Sequence, residues 1–318
     1  MRVLACAAVL AALTCVSTGG AAPAGCAGHA GLGTLRYARG TQFRELSLAT
    51  CADRTIGKAP EVRRGPVSSR DGRYTATIVS SKAKETIVVV DHRLHTRHSV
   101  FAHFTDPVVL LSVSGDGRWV FFSIDPDGSG SIAADGLTLR AVSTRDGTVA
   151  SLGVALPYPD YLTWCGGRLV WIGGADRVAI HAKQLLVSSP PDWRPKPLWA
   201  DRSRSFASPA CAPDGGSVAV LSQRSSDDAN FFHTRWRLWR VGLDGAHHVL
   251  DVPPSAAADE QPIWSGDGRS ILFVRERHGH GAVMLWHAGR ISGPLASLGY
   301  GLGYYGHHAW QLDWSAAA

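Results

Sequence analysis

The sequence is short of charge and short of long apolar runs. Only 18% of its 318 residues are Asp, Glu, Lys or Arg, against 35 Gly and 17 Pro. So few charges among so many chain breakers exclude a disordered polyelectrolyte tail, a coiled coil and a collagen. The net charge of +6 is spread along the chain and forms no basic run, so nucleic acid is not expected as a partner. Cysteine is scarce, at six, and no pair has C-x-x-C spacing, which removes the usual zinc and redox signatures. The G-x-S-x-G elbow of an α/β-hydrolase is missing as well.

What is present begins with an address. Arg2 precedes an apolar run from Val3 to Val16, and Ala22-Pro23-Ala24 follows a stretch of small residues. That order is the one of a secretory signal peptide, and the run is too short to span a bilayer. Residues 1–24 are therefore expected as the signal peptide and 25–318 as a single domain. The mature chain is expected outside the cytoplasm, periplasmic, cell-wall associated or secreted, with no transmembrane segment. Lipid anchoring at Cys26 is the weaker alternative, because Pro23 stands where lipidation signals want an aliphatic residue.

A repeat organises the rest. Pro262-Ile263-Trp264-Ser265-Gly266-Asp267-Gly268-Arg269 leads into the apolar run Ile271-Leu272-Phe273-Val274. Further copies are Ser69-Arg70-Asp71-Gly72-Arg73, Val113-Ser114-Gly115-Asp116-Gly117-Arg118, and Pro209-Ala210-Cys211-Ala212-Pro213-Asp214-Gly215. Leu162-Thr163-Trp164-Cys165-Gly166-Gly167-Arg168 is a degenerate copy, and Trp310 to Ser315 is the first half of another. Asp71, Asp116, Gly166, Asp214 and Asp267 follow one another at intervals of 45, 50, 48 and 53 residues. That period fits a four-stranded propeller blade. Asp-Gly supplies the tight turn, and the continuous apolar run after it implies burial on both sheet faces.

At these residues the sequence resembles the TolB-like β-propeller family, whose repeat reads roughly P-x-W-S-P-D-G-x-x-I-x-F. The resemblance runs from about Leu32 to Ser315 and implies an all-β, six-bladed propeller of four-stranded antiparallel blades. Leu32 to Arg39, Phe43 to Ala49 and Arg54 to Ile56 read as three outer strands with no inner strand before them. Ala309 to Ser315 reads as an inner strand with nothing after it, so the C-terminal strand is expected to complete the N-terminal blade.

Four cysteines remain after export, and their count alone leaves three connectivities open. Their places in the repeat favour Cys26–Cys51, flanking the first two outer strands, and Cys165–Cys211, at neighbouring motif positions of consecutive inner strands.

Candidate chemistry is sparse. Gly301-Leu302-Gly303-Tyr304-Tyr305-Gly306 matches G-x-G-x-x-G in letters, but no helix follows and the chain ends soon after, so it reads as an aromatic loop. Asp125, Asp127 and Ser129, with Asp135 near the closing position, resemble the front half of a calcium loop that lacks its bidentate Glu. Calcium is the one cofactor candidate; otherwise none is expected. His92, His95 and His98 fall at a turn and are not expected to share a metal.

Strand parity sends the Asp-Gly turns to one face and the long loops to the other. The loop face is the expected ligand surface, with His103, Asp106, Tyr158, Asp160, Tyr161, Phe206, Glu260, Tyr304, Tyr305 and His307 as bowl lining. The preferred function is a non-catalytic, monomeric binding scaffold for a protein or peptide, or for a glycan, as TolB-like relatives imply. The alternative is a metal-dependent extracellular enzyme on a propeller, such as a polysaccharide lyase.

Overall fold

A computed structural model describes residue 29 and residues 31–59, 65–82, 84–104, 106–126, 136–226, 234–304, 307–310 and 312–315. Among these residues the chain forms six four-stranded antiparallel sheets and one two-stranded hairpin. Each sheet is a blade read outward from an inner strand. Blade II runs Val67–Ser68, Tyr74–Ser81, Lys84–Asp91 and Thr96–Phe104. Blade III runs Val108–Val113, Trp119–Ile124, Leu137–Ser143 and Val149–Ala155. Blade IV runs Leu162–Cys165, Arg168–Gly173, Gln184–Ser188 and Lys196–Pro197. Blade V runs Arg204–Cys211, Ser217–Arg224, Arg237–Gly242 and His247–Val249. Blade VI runs Ala258–Trp264, Ser270–Arg277, His280–His287 and Arg290–Tyr300.

Blade I joins both ends of the chain. Its inner strand is Leu312–Ser315, paired antiparallel with Thr34–Arg39, and Gln42–Ser47 and Asp53–Lys58 follow outward. Thr34 faces Ser315 and Tyr37 faces Leu312 in that register. The hairpin Leu302–Tyr304 with His307–Ala309 stands where the sequence reading had a loop.

The second strand of a blade shows why its apolar residues are continuous. Leu169 and Trp171 pack with blade III, while Val170 and Ile172 pack with blade V. Phe121 joins the core shared with blade IV, and its neighbours Val120 and Phe122 join the core shared with blade II. Ile271 and Phe273 face blade V; Leu272 and Val274 face blade I. Adjacent side chains of one strand point to opposite sheet faces, so each strand feeds two cores. Each fully buried aliphatic or aromatic side chain contributes about 1.5–3 kcal/mol by removal from water. The cores lie between blades, and the blades in turn hold the inner strands around a central shaft.

Candidate functional site

The Asp-Gly turns set the rim of that shaft. In blade II the Ser69 hydroxyl donates to Asp71 Oδ1 at 2.6 Å and accepts from the Tyr74 amide at 3.0 Å. Ser114 repeats this with Asp116 and Trp119, and Ser265 with Asp267 and Ser270. The amide two residues after each Asp closes the loop on its Oδ1, from Arg73, Arg118 and Arg269 at 3.0–3.1 Å. These bonds hold the Asp71 and Asp267 carboxyls below their ordinary values, the serine hydroxyl contributing most. The sequence reading took this serine only as a small residue; it is a working part of the turn. Blade IV dispenses with both Ser and Asp, because Gly166 and Gly167 have φ of 57° and 78° and form a two-residue hairpin turn between Cys165 and Arg168.

The turn ends of the inner strands enclose a cavity of about 300 Å³ in the shaft. Five blades line it, through Ser112 and Val113, Leu162 to Trp164, Pro209 to Cys211, Pro262 to Trp264, and Ser68 with Arg70. Arg70 sits on the blade II turn and crosses the opening. Its Nη1 donates to the Cys211 carbonyl of blade V at 2.8 Å, and its Nη2 makes a long 3.5 Å contact with the Trp264 carbonyl of blade VI. Trp264 is fixed by its own Nε1 donating to the Ala210 carbonyl at 3.0 Å. The disulfide Cys165–Cys211, with Cα atoms 5.3 Å apart, ties the rims of blades IV and V beside this cavity.

The loop face is arranged differently from the expected open bowl. Tyr161, Phe206 and Glu260 are each 1% exposed, so they are interior side chains and do not line a bowl. Tyr161 and Phe206 belong to the core between blades IV, V and VI, where Phe206 rests on Trp199 with centroids 5.1 Å apart. Tyr158 is half-buried, edge-on to Tyr161, and Asp160 accepts from the Ser208 hydroxyl at 2.7 Å. His103 Nε2 and Asp106 Oδ2 are 3.1 Å apart and partly accessible. Tyr304 and His307 face each other in the hairpin register, and Tyr305 lies outside the described residues. Among those with described side chains, Tyr161, Phe206 and Glu260 are buried, whereas His103, Asp106, Tyr158 and Asp160 stay partly accessible. Nearby, Lys183 is 0% exposed and donates to the carbonyls of Asp176, Val178 and His181 at 2.6, 3.1 and 2.9 Å, which fixes that loop of blade IV.

No family model matches the chain, and no curated protein matches it in sequence. Solved structures do. TolB from Acinetobacter baumannii superposes with a TM-score of 0.50 at 16% identity, covering 82% of this chain and 62% of that one. A structure described as putative TolB from Agrobacterium tumefaciens gives 0.51 at 16% identity, covering 89% of this chain and 98% of that one. An oligogalacturonate lyase in complex with manganese gives 0.50 at 10% identity, covering 79% and 69%. The fold is that of a TolB-like propeller. The chain spans under two thirds of the Acinetobacter TolB, and at these identities the likeness is one of architecture.

Two expectations for this TolB-like propeller fall at the edge of what is described. Asp125 is buried at the end of the second strand of blade III, while Asp127, Ser129 and Asp135 of the calcium-loop reading lie outside the described residues. Among the described residues, no group of three or more His, Cys, Asp or Glu is placed to hold a metal. Cys51 is disulfide-bonded, and Cys26, its expected partner, lies outside the described residues, as does the signal segment. No helix among the described residues is long and apolar enough to cross a membrane.

Proposed function

We propose that this chain is a non-catalytic propeller that binds a protein or peptide partner outside the cytoplasm, with the turn-end shaft cavity as the binding site. The observation that carries this reading is the cavity, walled by inner strands of five blades and flanked by Trp164 and Trp264. A concave space with mixed polar and apolar walls, held by a rigid scaffold, is the usual form of a recognition site. The rim disulfide and the signal-like amino terminus support an oxidising, exported setting. The accessible loop residues His103, Asp106, Tyr158 and Asp160 are the second surface on which a partner could rest.

The test uses a substitution that fills the shaft. Ile263 lines the cavity and is half-buried, so Ile263→Trp occludes it while leaving the interblade cores in place. A partner captured from extracytoplasmic fractions and purified is expected to bind wild type and to lose at least tenfold in affinity for I263W by calorimetry. Equal affinity for the two proteins would remove the cavity as the site and direct attention to the loop face.

A further inference from the structure

The residue before the turn Asp, or before Gly166 in blade IV, is Gly115, Cys165, Pro213 and Gly266 in blades III to VI. Small or cyclic side chains there leave the shaft open. Blade II has Arg70 instead, the one long cationic side chain among these five positions. Its guanidinium crosses to carbonyls of blades V and VI, on the far side of the opening.

Two neutral carbonyls use only part of its capacity. A guanidinium carries five N–H donors in a planar fork, and Arg70 has no ion-pair partner among the described residues. Burial alone holds its value below the arginine norm, with no carboxylate contributing. The group stays charged, and the residue is solvent-exposed, so the donors not used on the two carbonyls are open to water or to a ligand at the mouth of the cavity.

We propose that the shaft cavity takes a carboxylate carried by a partner peptide, engaged by the free N–H groups of Arg70 at the turn-side mouth. This rests on the reading of the cavity as the partner's site and adds the chemistry it selects. A single guanidinium matches a monoanion, and carboxylate fits its fork in two parallel hydrogen bonds. A dianionic phosphate would find one cation only. The remaining lining is mixed, with Ser68, Ser112 and Thr163 beside Val113, Leu162 and Ile263, and suits peptide backbone and an apolar side chain together. The walls are two to four strand residues deep per blade, on the order of 10 Å, which suits the end of a chain or the tip of a side chain.

Three probes test it on the mature protein: N-acetyl-Ala-Leu with a free carboxylate, its C-terminal amide, and amidated N-acetyl-Asp-Leu. Binding is read by calorimetry and by side-chain Nε–H shifts of Arg70 in NMR spectra. The free acid is expected to bind wild type at least tenfold tighter than its amide and to weaken as salt is raised. Arg70→Gln is expected to abolish that preference, and Arg70→Lys to keep part of it. Recovery of affinity with the amidated Asp peptide makes a side chain the carboxylate's source; binding of the free acid alone makes it the chain terminus. Equal binding of acid and amide, retention of the preference in R70Q, or no Arg70 shift with any probe at millimolar concentration overturns the proposal. If R70Q fails to fold, R70K and the acid-to-amide ratio on wild type decide. The purified partner's response to I263W tests the cavity reading independently, so the two can fail separately.

Discussion

Removing the Cys165–Cys211 bridge should lower stability by an amount set by the loop it closes. The two residues are separated by 46 positions. In the chain-entropy account, a crosslink of that span removes freedom from the unfolded chain worth roughly 4 kcal/mol at 25 °C. The native geometry needs no rearrangement when the bond is lost, because Leu162–Cys165 and Arg204–Cys211 remain side by side in the ring and Cys165 stays in the interblade core. The perturbation is therefore Cys165→Ala with Cys211→Ala, preferred over a reductant because Cys51 is also disulfide-bonded. For a chain of this size the loss corresponds to a fall in Tm of about 6 °C. Calorimetric unfolding of wild type and double variant at one pH, with free thiols counted beforehand, measures it. A fall below about 2 °C with the wild-type bond intact would refute the entropic reasoning. It would mean that the unfolded chain already holds blades IV and V together.

Four further outcomes follow from particular contacts. Ile271→Ala and Leu272→Ala should each cost about 2–5 kcal/mol in urea unfolding, although they are adjacent, because they fill cores on opposite sides of blade VI; a neutral result for either would mean one face is open. Gly117→Ala should destabilise more than Gly72→Ala: both have φ near 70°, but a Cβ at Gly117 would meet the Tyr74 ring at 2.4 Å, whereas nothing lies within 4 Å at Gly72. Asp91 is held down to about 2, first by Arg73 and then by the Leu94 and Arg93 amides. A carboxylate depressed on folding adds stability that is full above the unfolded value near 4 and is lost as pH falls toward 2, so Asp91→Asn should flatten the acid limb of stability against pH. Arg275 bridges Asp251 and the fully buried Asp259, with Nε and Nη2 both 3.0 Å from Asp259 Oδ1. Burial and then Glu260 push Asp259 up, the Leu238 amide pulls the other way, and we read the pair as ionised from the two Arg275 donors on its Oδ1. Arg275→Met should then cost about 3–5 kcal/mol, recovered in part by adding Asp259→Asn.

The repeat was legible because it is built from local chemistry. Asp-Gly with a hydroxyl two residues before the Asp closes its own turn, so the motif is visible without tertiary knowledge. The outer strands of blade I were readable for the same reason, and Thr34–Arg39, Gln42–Ser47 and Asp53–Lys58 lie close to their expected bounds. Arg70 was passed over in the sequence, although it stands in the repeat where other copies have Gly, Cys or Pro, because nothing local shows that its side chain reaches across the shaft. The Asp-Gly turns themselves are too short to hold a ligand. The room is in the shaft behind them, a property of the ring as a whole.

The burial of Phe206 and Glu260 goes with bulged inner strands, and each of those two bulges carries the proline of the repeat. Inner strands pair with irregular register between Leu110 and Ser112, between Ala207 and Ala210, and between Glu260 and Ile263. In the last two, the bulge holds a residue with positive φ, Ser208 at 46° and Gln261 at 48°, and a proline follows immediately. One extra residue reverses which side of a strand the following side chains occupy. Ahead of the bulge, Phe206 turns into the core of blades IV to VI and Glu260 is buried. At the bulge, the Ser208 hydroxyl donates to Asp160, and Gln261 pairs through Nε2 and Oε1 with the carbonyl and amide of Trp310, latching each blade to the loop entering a neighbour. Past it, the strand segments Pro209 to Cys211 and Pro262 to Trp264 border the shaft cavity, with Cys211 and Trp264 packed in the core between blades. The same inner strand therefore seals the loop end and lines the turn end. The switch between the two roles lies in backbone geometry that the side-chain pattern does not display.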